Sequence, residues 1–514
     1  MERRISMNLG DYFEAAVRRT PSALALVDNQ VRWTYADLAQ EAENVAHGLW
    51  LIGLRPGDRV MVLLRNRREN VVIFWACQQL GLVYVPVSYH FAPNDIAYCI
   101  EDAEPEALFF DDASEATINL LSECRKLPGA VYSIEGKDQP PCKSYDRLRM
   151  QEKQQRPRIV PHDQAIAVML YSSGATGRPK GIPRSHTNEI SSTIAHIIQN
   201  AYSFGESTVA ISSFCHTMGL RMLLAMALLS GKLVLAPEEH TRAYGTLIEQ
   251  EGISSLYAFP SVYHDLLAVA GEYDFRSIKK IAYAGAPMSQ TLIGQCIEHF
   301  ACDGFVNHFG STEIYTYTVC SWLTRKPMCA GKAGIHTQIR IVVPMSAATV
   351  TPDERVGPGE VGELIVRLNS PEAFRGYWNR PDLTAKAIRD GWFFTGDLVR
   401  MDDEGDLWVV GRVDDMVISS GEKVYPTEVE TVLRTHHKVK EVAVLGIPDK
   451  RVGQLLTAFV VPADPSLTIE ELDQFCVANL DLADFKRPAK FILLDVLPRH
   501  GGKLLRRELA RLCS

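Results

Sequence analysis

Apolar and polar positions follow two rhythms along this chain. One has the helical period: YADLAQEAENVAHGLW, from Tyr35, returns an apolar residue every three or four positions, and NVVIFWACQQLG does so up to Gly81, where a helix would stop. The other consists of short apolar runs bounded by turn residues. DRVMVLL, LVYVPV and AIAVML read as strands, the last as a fully buried one. The two rhythms alternate from Leu9 to about Val160 and resume in SLYAFP, KKIAYAGAP and GFVNHFGSTE, each a strand running into a turn. This alternation predicts an α/β protein with largely parallel sheets. From Gly362 the pattern shifts to short strands with turns (GELIVR, GDLWVVGR), a β-rich stretch. From Asp414 onward a compact βα pattern follows (EVETVLRTH, EVAVLGIP, LLTAFVVP, IEELDQFCVANL, KFILLDVLP). Lys137 to Pro161, rich in Lys, Gln, Pro and Arg, reads as a surface connection.

Length and composition narrow the function classes. At 514 residues the chain exceeds one core, and its size suggests about three domains or subdomains. A net charge of −8 argues against nucleic acid or an anionic membrane as the main partner. The opening MERRISMNLGDYFEAA lacks the apolar run of a signal peptide, and MLLAMALL falls far short of the ~20 residues of a membrane span. Eleven cysteines without a CxxC pair fit free thiols in a reducing cytoplasm better than a disulfide frame or a zinc site.

The buried run AIAVML leads into YSSGATGRPKGIPRSH (Tyr171–His186). A phosphate loop of the strand–GxxxxGK[ST]–helix type needs glycine before its lysine and Ser or Thr after it; here Pro179 precedes Lys180 and Gly181 follows. Pro179 and Pro183 also discourage an immediate helix. The loop is therefore not of that type, which disfavours a kinase. Glycines that turn N–H groups inward, hydroxyl donors and the Lys180 charge can still wrap phosphates. A solvated Gly-rich turn fits the same residues.

Four further stretches change the balance: YAGAP (Tyr283–Pro287), NHFGSTE (Asn307–Glu313), FTGD with GRVDD (Phe394–Asp415) and PRHGGKLLR (Pro498–Arg506). With the opening loop, their order and spacing resemble the signature segments of the adenylate-forming superfamily, which includes acyl-CoA synthetases, luciferases and peptide-synthetase adenylation domains. The resemblance spans essentially the whole chain. GRVDDMVISSGEKVYPTEVE and DLADFKRPAKFILLDVLPRHGGKLLRREL look most like the aryl-CoA ligase branch, in particular 4-chlorobenzoate–CoA ligase. The resemblance implies a large N-terminal domain, 1–413, of mostly parallel-sheet αβ subdomains with a β-rich subdomain. A small mobile α+β domain, 414–514, would follow, hinged at Asp414.

A carboxylate is a poor electrophile, because its charge repels nucleophiles and its leaving group is oxide. The resemblance implies that ATP converts it to an acyl-adenylate with release of pyrophosphate, and that coenzyme A then takes the acyl group with release of AMP. ATP, Mg²⁺ and coenzyme A are the implied cofactors, with a small-molecule carboxylic acid as partner and a homodimer as the assembly. Ser172, Ser173, Gly174, Thr176, Gly177 and Lys180 would hold the β- and γ-phosphates, although Ala175 stands where relatives carry Ser or Thr. Gly285, Ala286 and Pro287 would line the adenine, and Phe309 would stack on it, with Gly310 and Ser311 in the same segment. Thr312 would donate to the α-phosphate and Glu313 would hold Mg²⁺. Asp397 would accept the ribose hydroxyls, and Arg412 would bind ribose or phosphate. Lys503 would pair with the attacking carboxylate and the α-phosphate oxygens.

Ser420, Gly421, Phe485, Arg487 and Lys490 match positions near the nucleotide or the CoA tunnel; Val452 and SYHF (Ser88–Phe91) depart from the branch pattern there. His216 takes the place of the gate beside the carboxylate. Tyr257, Phe259, Gly285, His308, Gly310, Tyr315 and Thr316 would line an acyl pocket suited to a compact aromatic or cyclic acid. Arg221, a lone cation in GLRMLLAMALL, either faces that pocket or pairs outside it. An adenylation enzyme that loads a carrier protein, a ligase for short or medium aliphatic acids, and a non-catalytic nucleotide binder remain alternatives.

Overall fold

The computed structural model describes residues 8–513 except 124–126, 137, 139, 141, 152–155, 174–177, 237–240, 301, 303, 345–349, 420–421, 450–452, 480–481, 483–485 and 501–502. The chain divides into two compact units, Met1–Gln338 with Arg367–Gly391, and Ile339–Val366 with Trp392–Ser514.

In the first unit, one sheet runs in the order Cys142–Ser144, Ala130–Ser133, Ala107–Phe110, Arg59–Leu63, Val83–Pro86, Ile166–Ser173, Pro179–Ser185. A second runs Lys332–Ala333, Thr318–Cys320, Gly304–Phe309, Lys280–Ala284, Ser255–Ala258, Ser207–Ala210, Lys232–Leu235, Leu24–Asp28, Val31–Thr34. Pairing is parallel in the interior of both sheets; it turns antiparallel at the Pro179–Ser185 end of the first and at both ends of the second. The expected α/β architecture is thus present. Helices Leu9–Arg19, Tyr35–Leu51, Arg68–Leu80 and Thr217–Leu228 share one core with both sheets, in which Phe13, Val45, Trp75 and Leu223 pack with Leu26 and Val62.

Local chemistry sets the helix ends. Thr34 and Asp37 form a capping box at the start of Tyr35–Leu51. Gly81, at φ +66°, ends Arg68–Leu80 in the left-handed conformation. The prolines after the opening loop have the effect their ring geometry demands. Pro179–Ser185 is a strand, antiparallel to Ile166–Ser173, and the helix His186–Gln199 begins only after Ser185 caps it.

The reading of Lys137–Pro161 as a surface connection needs correction. Within it, Cys142–Ser144 adds a strand to the first sheet and Tyr145–Arg149 is a short helix with Tyr145 and Leu148 buried. A Cβ placed on Gly48 would lie 2.2 Å from the Leu148 carbonyl oxygen, so this helix seats directly on the helix Tyr35–Leu51. The i, i+3 apolar pair was hidden among charged neighbours that face outward.

In the second unit, Ile339–Val342, Val361–Arg367, Trp392–Met401 and Leu407–Arg412 form a sheet in that order. A further sheet runs Glu422–Val424, Val417–Ser419, Gly453–Pro462, Val439–Asp449, with Lys490–Leu493 also on Gly453–Pro462. Side-chain alternation lets this sheet serve two faces. Val442 and Val444 pack with Val429, Leu433 and Leu472 of two helices, while Ala443 packs with Leu509 of a third. Among the described residues, no helix is long and apolar enough to cross a membrane, and the cysteines are free thiols.

Candidate active site

The opening loop joins two paired strands, with Ser172 opposite Lys180. Gly174, Thr176 and Gly177 lie outside the described residues, and Ser173 is described only as the end of its strand. Past the loop, Trp378 donates its backbone N–H to the Gly181 carbonyl at 2.9 Å, and a Cβ on Gly181 would meet Trp378 Cβ at 3.0 Å. This contact fixes Tyr377 beside the strand. Lys180 Nζ sits 5.2 Å from the Tyr377 ring centroid, and the Tyr377 hydroxyl donates to Glu313 Oε1 at 2.7 Å. Lys180 and Glu313, 133 positions apart in sequence, therefore meet at one ring.

The turn that carries Thr312 and Glu313 is held from below. A Cβ on Gly310 would lie 1.8 Å from the Tyr315 carbonyl oxygen, so only glycine fits the fold-back. Ser311 Oγ accepts from the backbone N–H groups of Glu313 and Ile314 at 3.1 and 3.3 Å, which makes it the turn's internal cap. Beneath the turn, Arg184 is 0% exposed, and its Nη1 donates to the carbonyls of Thr312 at 3.0 Å, Glu313 at 3.2 Å and Glu372 at 3.2 Å. Its other nitrogens pair with the Glu189 carboxylate and with Ser192 Oγ. Glu189 in turn pairs with Arg221, which also donates to Thr193 Oγ1 at 2.5 Å. Burial pulls both guanidinium groups below their ordinary value, while the nearby Glu372 and Glu313 carboxylates hold Arg184 up. Arg221 is therefore neither a surface side chain nor an isolated charge: it closes a buried Arg–Glu–Arg chain, with its guanidinium 5.3 Å from the Tyr315 ring centroid.

Three of the expected acyl-pocket residues form one buried cluster. Tyr315 Oη donates to Tyr257 Oη at 3.0 Å, and the Tyr257 and His308 rings meet edge to face at 5.5 Å. His196 and Asn200, from the helix His186–Gln199 and its C-cap, complete the cluster. The His196 ring lies 4.9 Å from Tyr257 and 5.3 Å from His308. Burial pushes the His308 pKa down to about 3, and that of His196 well below its ordinary value. Gly285, at φ +83°, faces Phe259, whose ring would lie 2.6 Å from a Cβ there. Thr316 is buried and gives its N–H to Glu372 Oε2 at 3.2 Å. Phe309 is half-buried and edge-on to Tyr317 at 5.4 Å. His216 is the half-buried N-cap of Thr217–Leu228, and Ala286 and Pro287 continue the turn after Lys280–Ala284.

In the second unit, Asp397 and Arg412 are partners: Arg412 Nη1 donates to Asp397 Oδ1 at 2.6 Å across paired strands. Gly396 lies so close to Arg412 that a Cβ would meet Nη2 at 2.9 Å. Beside Asp414, burial raises the pKa of Asp415, which pairs with Arg506 at 3.2 Å; Arg506 also pairs with Glu430. Lys503 is on a two-stranded hairpin, opposite His500. Lys490 begins a strand and is exposed, and Arg487 is half-buried. Ser420, Gly421, Val452 and Phe485 lie outside the described residues.

Arg184, Glu189, Glu372, Tyr377, His196 and Asn200 did not emerge from sequence reasoning. A signal existed for some: Glu189, Thr193, His196 and Asn200 follow one another at three- to four-residue spacing on one helix face, which marks buried polar groups with partners.

Comparison with known proteins identifies the family. Residues 13–378 match the family described as AMP-binding enzyme, and residues 428–502 match the AMP-binding enzyme C-terminal domain. A feruloyl-CoA synthase from Amycolatopsis sp is 29% identical, over 98% of this chain and 99% of its own. A 2-succinylbenzoate–CoA ligase from Bacillus mycoides is 29% identical, over 96% of each chain. The solved structure of o-succinylbenzoate CoA synthetase from Bacillus subtilis, in complex with its acyl-adenylate intermediate, is 27% identical, with a TM-score of 0.85 and 98% of each chain covered.

Proposed function

The chain belongs to the AMP-binding enzyme family, and on that footing we propose that it joins a compact aromatic or cyclic carboxylic acid to coenzyme A with consumption of ATP. In the first step a carboxylate oxygen bonds to the α-phosphorus, the bond to the β-phosphate bridge breaks, and pyrophosphate leaves. In the second, the thiol sulfur bonds to the acyl carbon, the acyl–oxygen bond to AMP breaks, and the thiol proton is released. The protein must hold two anions together and screen the charge that builds on phosphorus.

The observation that carries this reading is the meeting of Lys180 and Glu313 at the Tyr377 ring, above a turn that Arg184 pins through its backbone carbonyls. It puts a cation for phosphate oxygens next to a carboxylate oriented by a hydroxyl. Thr312, on the same turn, donates to the α-phosphate. The residues present suit Mg²⁺: Tyr377 occupies one oxygen of Glu313, and the other is a hard ligand of the kind Mg²⁺ shares with nucleotide phosphates. Glu313 and the phosphates would bind it together. Bound there, the ion supplies charge neutralisation for the phosphate oxygens. Asp397 holds the ribose, with Arg412 orienting its carboxylate. Lys503 pairs with the attacking carboxylate, and the residues after Asp414 serve both steps by turning at that hinge. His216 gates the carboxylate, and the tunnel for coenzyme A runs past Arg487 and Lys490. The aryl class of acid is in keeping with the likeness to feruloyl-CoA synthase and 2-succinylbenzoate–CoA ligase; a place in the 4-chlorobenzoate–CoA ligase branch is part of this proposal.

The test is pyrophosphate release across aryl, alicyclic and short aliphatic acids, with and without coenzyme A. Aryl acids are expected to lead, with AMP and a CoA thioester as products. ADP as product would overturn the reading. Acyl-adenylate that free coenzyme A does not discharge would favour carrier-protein loading instead.

A further inference from the structure

Asn200 ties two buried imidazoles together. Its side-chain nitrogen lies 2.7 Å from the His196 carbonyl oxygen, which fixes the orientation of the amide. The same nitrogen lies 3.0 Å from His196 Nδ1 and 2.9 Å from His308 Nε2, nearer the latter than Asn200 Oδ1 at 3.2 Å. The amide nitrogen has two protons: one goes to the His196 carbonyl and the other to the nearer ring nitrogen, His308 Nε2, so the His308 proton sits on Nδ1. The Tyr315 hydroxyl gives its own proton to Tyr257, so its oxygen, 2.9 Å from His196 Nδ1, accepts from that nitrogen, and His196 Nε2 is left as an acceptor.

The other nitrogens, His196 Nε2 and His308 Nδ1, are buried and have no hydrogen-bond partner among the described residues. The same holds for Thr316 Oγ1 and both amide atoms of the Gln199 side chain. Gly334 brings these last two side chains near one point: a Cβ there would lie 2.6 Å from Thr316 Cγ2 and 3.2 Å from Gln199 Oε1. Buried polar groups are normally satisfied, and leaving one unpaired costs stability that an apolar residue would not. Two of the unpaired groups, on His196 and His308, lie against the Tyr257 and Tyr315 rings. Both imidazoles are neutral, because burial has lowered their pKa values. The nearby cation Arg221 is held by Glu189, which it shares with Arg184, and the Glu372 carboxylate acts on both guanidinium groups. The cluster therefore offers one neutral N–H donor, His308 Nδ1, and one neutral acceptor, His196 Nε2, next to a cation already paired with carboxylates.

From this we infer that the acid carries, away from its carboxylate, an uncharged hydrogen-bond-accepting oxygen, as hydroxyl, ether or carbonyl, that His308 receives. The inference rests on the ligase reading above and narrows it: a purely hydrocarbon ring leaves that donor unpaired, and a second carboxylate meets no unpaired cation. His308 is then a specificity-determining residue.

The experiment compares near-isosteric pairs on the full-length enzyme: 4-hydroxybenzoate with 4-methylbenzoate, 4-methoxycinnamate with 4-ethylcinnamate, and 4-acetylbenzoate with 4-isopropylbenzoate. Sites built to bond a substrate oxygen reject the analogue lacking it strongly, so kcat/KM for pyrophosphate release should favour the oxygen-bearing member of at least one pair by about 100-fold or more. His308→Leu should shrink that ratio at least about tenfold, whereas a purely structural histidine would depress both members equally. Equal use of both members in every pair that reacts overturns the inference while leaving the ligase intact. No pyrophosphate release from any acid, including those of the wider panel, overturns both.

Discussion

Arg184 donates from a single guanidinium nitrogen to the backbone carbonyls of both Thr312 and Glu313, at 3.0 and 3.2 Å. A buried cation is thus the floor of the turn from which the two residues proposed to face the nucleotide rise. Because it binds carbonyls, it fixes where the Thr312 and Glu313 side chains start without competing for them.

Removing this floor should unfold more than the turn. Arg184→Met leaves the Glu189 carboxylate with Arg221 as its one remaining guanidinium partner and three carbonyls without this donor. Breaking a buried ion pair from one side costs about 3–5 kcal/mol, and a urea melt of the variant should show a loss of that order. A loss below about 1 kcal/mol would mean that the pair is dispensable.

Tyr377→Phe deletes one hydroxyl and little else. The Glu313 carboxylate then loses the group that orients it. Groups that orient a metal-binding carboxylate typically contribute 10–100-fold in affinity or activity. The Mg²⁺ concentration for half-maximal ATP–pyrophosphate exchange should rise about tenfold, with more to come in Glu313→Gln. An unchanged Mg²⁺ titration in both variants would remove Glu313 from the nucleotide site.

Lys503→Ala separates the two half-reactions. Pyrophosphate release should fall by about 100-fold or more, the usual effect of losing one charge-stabilising donor. Thioester formation from added acyl-adenylate should continue at near the original rate. Full-rate adenylation by this variant would end the assignment of Lys503.

Stability should fall on the acid side of neutrality. His186 and His308 have folded-state pKa values of about 4 and about 3, lowered by burial from an unfolded value near 6.5, and His196 is lowered as well. Below about pH 6.5 the unfolded chain binds protons that the folded one refuses, so stability declines as pH falls toward those values. The slope is at most about 1.4 kcal/mol per pH unit for each group. Urea midpoints measured from pH 7 to pH 5 should drop, and less steeply in His186→Gln than in the parent. Parallel curves for the two proteins would show that His186 takes no part.

Element type and order were legible because periodicity and punctuation are local. Gly81 stops a helix, Pro179 and Pro183 defer one, and the apolar runs become sheet interiors, all from residues within a few positions of one another. The helix Tyr145–Arg149 escaped because two buried residues among charged neighbours carry too weak a period. Gly310 and Ser311 stood out by type, but their tasks as fold-back and internal cap appear only when Tyr315 and Ile314 return to them.

By itself the sequence determined the α/β plan and which short segments carry phosphate-seeking glycines, hydroxyls and charges, since these depend on neighbouring residues and backbone rules. The tertiary structure alone decided that Lys180, Tyr377 and Glu313 meet, that Arg221 answers Glu189, and that Asn200 sets the proton of His308. A buried charge or donor takes its meaning from its partner, and chain folding brings in partners that no local pattern can name.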